Sequence, residues 1–186
     1  MKHKEINFKR PSLEQIDAYE NPNVISRFVD IFGVTSEEAI DIFTHTKKWL
    51  WLAHEQRLDQ TYTNKMEIDE PLLVIDEMWH NFVLFTKDYT NFCFHYFGYY
   101  LHHQPTTDAE KIKFQKEIQS VPLEQKDEVL KDKRRPQYEC TYDKLGRKAF
   151  EKLYFEYPKK YSKKQLAELC YQQVTKPETT QLIGQH

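Results

Sequence analysis

A chain of 186 residues, 39% hydrophobic and 30% charged, has the size and balance of one folded domain of roughly 100–200 residues. Its 15% aromatic content, twelve Tyr and twelve Phe included, excludes a disordered, solvating sequence, and a net charge of −2 excludes a global pull toward nucleic acid or anionic membrane. Cys93, Cys140 and Cys170 are widely spaced and form no Cys-x-x-Cys pair, so neither a disulfide framework nor a cysteine-rich zinc module fits.

Reduced thiols, a charged start (MKHKEINFKRP) without an apolar signal core, and no apolar run near the roughly 18 residues of a bilayer span together predict a cytoplasmic protein. With only four glycines and no sustained period-two alternation, the chain reads as all-α. The expectation is a single compact domain over residues 1–175, about six helices around a buried central helix at 71–85, followed by a disordered tail at 176–186.

A short helical pattern runs from Val24 to Phe32 and is closed off by Gly33. Thr35-Ser36-Glu37-Glu38 fits a capping box, and Ala39, Phe43, Thr46, Leu50 and Ala53 then step by four and three. Residues 59–69 lack periodicity and read as a loop, with Pro71 as a first-turn proline. The helix from Pro71 to Phe85 is apolar almost all round, which marks the hub of the core. Its polar residues Asp76, Glu77, His80 and Asn81 share an arc of roughly 140°. Thr86 is the expected N-cap of the next helix, reached through a very tight corner. That helix lines up Tyr89, Phe92, Cys93, Tyr96 and Phe97 and stops at Gly98. Thr107-Asp108-Ala109-Glu110 is a second capping box, opening a helix toward Ile118. Residues 122–136 are charged and read as an exposed, mobile connection, and two further helices are predicted at about 142–157 and 162–174.

Asp76 and His80 are four apart, so on a helix they project from one face. Two plain alternatives are a solvent-facing stripe continued by Lys87 and Asp88, and a buried His held by Asp for structure. The following residues add candidate donors at Cys93, His95, His102 and His103. Cys93 shares the inward stripe with Tyr89 and Phe97, whereas His95 is 200° away from it and points outward. Asp76, His80, Cys93 and His103 would offer O, N, S and N donors to a tetrahedral zinc. Without Cys93, the remaining Asp and two His are the donor types of an iron site with open positions. Taken alone, Cys93 also reads as a core thiol.

No Gly-rich phosphate loop, His-Glu-x-x-His or Gly-x-Ser-x-Gly occurs, and Glu77-x-x-His80 lacks the second element a di-iron bundle needs. The basic residues Lys131, Lys133, Arg134 and Arg135, and Lys159, Lys160, Lys163 and Lys164 around Tyr161, read as solvated surface. Nucleic acid is therefore not an expected partner.

Asp76, Trp79, His80, Tyr89, Cys93, Gly98 and His103 resemble, in order and spacing, the Asp-x-x-Trp-His, Tyr, Cys, Gly and His core of the glycine-rich domain-containing protein-like family. The resemblance covers about 71–105, with a looser echo at 142–158, where KLYFEYPKK partly reproduces the family's ending; the glycine-rich extension is absent from this sequence. It implies that these seven residues form a unit, Trp79, Tyr89 and Gly98 supporting the four donors, and it carries no activity. Where members often have a second His two positions after the first, this chain has Phe82.

Two functions follow. One is a non-enzymatic interaction or pathway-accessory module, its aromatics offering a surface for a protein partner, with a structural Asp/His/Cys/His cluster able to hold a metal. The other is a small enzyme in which Asp76, His80 and His103 hold zinc or iron and Tyr89 or Glu77 moves protons. Trp79, Phe82 and Phe97 are expected to restrict solvent at the site, which favours the first.

Overall fold

The structure, a computed structural model, describes residues 8–59 and 66–175, in which every regular element is helical. The predicted tail at 176–186 and most of the 59–69 loop lie outside the described residues. Seven helices of eleven residues or more, with two short ones, stand among the described residues where about six were expected.

Local chemistry sets most of the boundaries. Helix α1 (Leu13–Asp17) opens on a capping box between Ser12 and Gln15, a start the periodicity does not reveal in so short a segment. Helix α2 (Pro22–Phe32) is capped by Asn21 and ends at Gly33, whose φ of 62° an L side chain rarely adopts. Helix α3 (Ser36–Leu58) starts on the predicted Thr35–Glu38 capping box.

The predicted hub is shared. A 3-10 turn (Glu70–Leu72) leads into α4 (Leu73–Leu84), which buries Val74, Ile75, Met78, Trp79, Asn81 and Phe82. Helix α3 buries more, because polar residues that interrupt its apolar pattern find partners inside the fold. The Lys47 ammonium donates to the carbonyls of Asp17 at 2.8 Å and Tyr19 at 2.5 Å, holding the end of α1, and burial pushes its pKa down to about 8. His54 is fully buried, 2.7 Å from the Lys9 carbonyl and stacked on Phe97 with centroids 4.6 Å apart.

Between α3 and α4, Phe82 meets Phe43, Tyr89 and Phe92 edge-on, with centroids 5.2, 5.1 and 5.4 Å away. Asn81, assigned from phasing to the polar stripe, is buried instead. It donates to the Val24 carbonyl at 2.8 Å and accepts from Arg27 at 2.6 Å, so it bonds α2 to α4.

The corner after α4 turns on Phe85 alone (φ −81°, ψ 62°), and α5 (Thr86–Tyr96) includes Thr86 rather than being capped by it. Both Phe97 and Gly98 donate their N–H to the Cys93 carbonyl, and Gly98 at φ 83° stops the helix where expected. Helix α6 (Asp108–Gln119) starts on the predicted Thr107–Glu110 box and buries none of its residues.

The charged stretch at 122–136 is helical, not a connection. A 3-10 turn (Leu123–Gln125) runs into α7 (Lys126–Glu151). Its charges sit on an exposed helix face and are paired: Lys133 with Glu117, Arg134 with Asp69 and Arg135 with Asp132. Gly146 (φ 80°, ψ 169°) breaks α7 and folds its second part back, so that Tyr138 meets Phe150 and Tyr154 at 5.8 and 4.4 Å. A π-helical turn (Lys152–Glu156), α8 (Tyr157–Lys160) and α9 (Lys163–Val174), capped by Ser162, complete the described chain. No helix among the described residues is long and apolar enough to cross a membrane.

Burial pushes the His45 and His54 imidazoles below the ordinary value of 6.5, so the fold favours their neutral forms. Their contribution to stability is complete above that value and is lost as pH falls through the lowered folded-state values. Urea midpoints should therefore drop between about pH 7 and about pH 5.5. Asp69 and Glu77, whose carboxyls burial pushes up, act in the opposite sense at lower pH. A midpoint that holds level over the upper interval contradicts this reading.

Candidate metal centre

Three of the four predicted donors meet at one point. Asp76 and His80 project from consecutive turns of α4, and His103 reaches them from the non-helical segment between α5 and α6. A carboxylate oxygen of Asp76, a nitrogen of His80 and a nitrogen of His103 all lie within 4.8 Å of one another.

His103 is held in place by a buried chain of hydrogen bonds. Trp79 Nε1–H donates to the Tyr89 hydroxyl at 2.9 Å, and that hydroxyl donates to the Leu101 carbonyl at 2.5 Å. Helix α4 is thereby tied through α5 to the backbone two residues before His103. Tyr89 is fully buried, which pushes its phenol far above the ordinary value and keeps the proton on oxygen. Gly98 allows the turn that brings this segment back over α4. Trp79, Tyr89 and Gly98 thus lie together around the segment that carries His103.

Cys93 does not join the other three. It is fully buried within the same frame, its thiol interacting with the Leu101 carbonyl and the Tyr89 hydroxyl. Burial pushes the thiol up, as it does for a thiol in the interior. Of the two readings open to Cys93, the structure supports the core thiol. His95 and His102 are exposed, His95 as phasing predicts.

The contacts around Asp76 are close without being hydrogen bonds. His103 Nε2 lies 3.0 Å from Asp76 Oδ1, yet this buried nitrogen has no hydrogen-bond partner, so the approach is ion-pair close but too oblique for a hydrogen bond. His80 Nδ1 is 3.6 Å from Asp76 Oδ2, beyond hydrogen-bond range. The His103 ring stacks on Trp79 at 4.0 Å and on His80 at 4.3 Å.

Donor type fits a transition metal. Ligands about 2.0–2.1 Å from a tetrahedral zinc stand about 3.3 Å apart; here one atom from each residue lies within 4.8 Å of the others, so the set has to draw closer to share an ion. The rings set a condition. A metal lies in the plane of a ligating imidazole, and the nearly parallel His80 and His103 rings (20°) do not converge. One ring has to turn, and His80, whose side chain is 55% exposed against 12% for His103, has the room.

Solvent reaches the centre, contrary to the sequence expectation. Only Trp79 of the three apolar neighbours is at the site; Phe82 and Phe97 are fully buried in the aromatic core, away from it. The departure at Phe82 therefore does not touch the donor set. Glu77, half-buried beside His80, is pushed up by desolvation, and His80 partly offsets the shift.

A second Asp-x-x-x-His pair escaped the sequence reading, although its spacing is the same. On α3, His45 Nδ1 is 2.9 Å from the Asp41 carbonyl and 3.0 Å from the Tyr157 hydroxyl, which itself lies 3.0 Å from Asp41 Oδ2. Lys152 adds an ion pair to the same carboxylate at 3.0 Å. This group is saturated with internal partners, and it fastens the KLYFEYPKK segment to α3.

A family model described as UCP032817-like matches residues 14–155, well over half of the chain, and the chain belongs to that uncharacterised family. The match contains all three converging donors and the frame that holds them. No curated protein and no solved structure matches the chain.

Replacing Tyr89 with Phe leaves the Trp79 N–H and the Leu101 carbonyl unpaired in the interior, at a cost of about 2 kcal/mol. Urea denaturation of Tyr89→Phe measures it, and a change below about 0.5 kcal/mol would remove the hydroxyl from the frame.

Proposed function

We propose that the protein is a helical interaction or pathway-accessory module that holds one divalent transition metal, zinc or iron, through Asp76, His80 and His103. The observation that carries the reading is the buried His103 nitrogen, which faces a carboxylate and a second imidazole and makes no hydrogen bond. A purely structural cluster would be expected to resemble the saturated Asp41–His45–Tyr157 group. The ordered run from Asp76 to His103 further supports kinship with glycine-rich domain-containing protein-like proteins. Cysteines joined by no disulfide among the described residues suit a reducing, cytoplasmic setting. A protein partner is the ligand class that fits a surface rich in exposed aromatics, among them Phe94, Tyr142 and Phe155.

The exposure of His80 favours one second reading. Three protein ligands with a face open to solvent are the pattern of a catalytic metal, which would supply an activated water, with Glu77 a candidate proton acceptor.

Zinc titrated into apo protein, purified without a metal-affinity tag, should bind at one equivalent per chain. At free zinc about 100 times the dissociation constant, unfolding should be harder by about 2.7 kcal/mol. Asp76→Ala and His103→Ala should abolish the calorimetric signal and Cys93→Ala should keep it. Wild-type protein that takes up no zinc and melts identically with and without chelator contradicts the metal reading in both forms.

A further inference from the structure

The segment that presents His103 is itself the part of the molecule the metal would control. Residues 98–107 form a strap without regular structure between α5 and α6. Its near end is secured: Tyr99 is buried beside His54 and Phe97, and the Leu101 carbonyl accepts from Tyr89. Its far end is not. Residues 104–107 are exposed, and α6 behind them buries nothing. His103 is the last residue of the strap that packs on the body, and it does so by stacking on Trp79 and His80 and by an approach to Asp76 that forms no hydrogen bond.

Two of the three donors are therefore on a rigid, buried helix, and the third is on a strap whose outer half has little else to hold it. An ion shared by Asp76, His80 and His103 would cross-link α4 to the strap and close the chain between His80 and His103 into a loop. Such a cross-link acts by removing open conformations from the strap. His103 also covers the indole of Trp79, which is only 7% exposed beneath it, so release of the strap uncovers an apolar ring at the site.

We propose that metal occupancy locks the outer half of the strap, residues 102–107, onto α4, and that loss of the metal frees that half and exposes Trp79. This inference rests on the metal reading above. It makes the centre a regulatory one, in which a divalent cation sets the position of a segment and not the fold of the domain.

The test is amide hydrogen exchange, read by mass spectrometry on the full chain with and without zinc, alongside calorimetry on the same samples. At exchange times too short for global unfolding, which zinc slows everywhere by linkage, zinc should slow exchange across 101–107 at least tenfold. Asp76→Asn, which keeps the shape of the side chain, should abolish the slowing while retaining wild-type exchange in α3; His103→Ala should do the same. If zinc binds with the expected dependence on Asp76 and strap exchange does not change, the lock is wrong and the metal site stands. If zinc does not bind, both fall. If the strap without zinc is already as protected as α3, it is not free in the absence of metal and the regulatory role is overturned.

Discussion

The hydroxyl of Tyr89 joins three segments that would otherwise have no common anchor. It receives the Trp79 N–H from α4, belongs to α5 and donates to the Leu101 carbonyl of the returning strap. Because the group is fully buried, these bonds form where water cannot replace them, and each partner left alone would be costly. Everything distinctive about the site follows from this junction. It fixes the indole on which His103 stacks and the backbone from which His103 departs. Cys93, fully buried on the same helix as Tyr89, lies apart from the three converging residues.

Two Asp-x-x-x-His pairs on neighbouring helices show how far sequence spacing can be read as chemistry. On α3 the third partner is the Tyr157 hydroxyl, able to donate or accept, and Asp41 and His45 both find bonds. On α4 the third partner is a second imidazole, and its buried nitrogen finds none. Identical spacing thus gives a saturated clasp in one case and an unsatisfied donor set in the other. The difference is made by residues distant in sequence.

Much of the helical framework was legible from capping chemistry. The boxes at Thr35 and Thr107 and the stops at Gly33 and Gly98 act within a few residues, so the sequence carries them openly. The stretch at 122–136 was misread because an exposed, charged helix face, whose ion pairs with other helices the sequence does not show, registers in composition only as polarity. Asn81 was misplaced for the opposite reason, since helical phasing cannot tell a solvent-facing amide from one bonded to another helix. Of the site, phasing found Asp76 and His80 and discarded His95. It could not separate Cys93 from Asp76, His80 and His103, because which of them converge depends on the path of the returning strap, which has no helical phase.

The centre's position also explains why it is open while its surroundings are closed. Helix α4 turns its apolar faces to α2, α3 and α5 and leaves Asp76 and His80 at the edge of the aromatic core, where one imidazole is half in solvent and the other is sheltered by the indole. The measurement that bears most directly on this account is anomalous scattering from crystals of the protein soaked in zinc. It should give a single peak within about 2.0–2.1 Å of His103 Nε2, with a nitrogen of a rotated His80 and an oxygen of Asp76 at similar distances. A peak ligated by Cys93, or no peak at these residues in a crystal that binds zinc elsewhere, would contradict it.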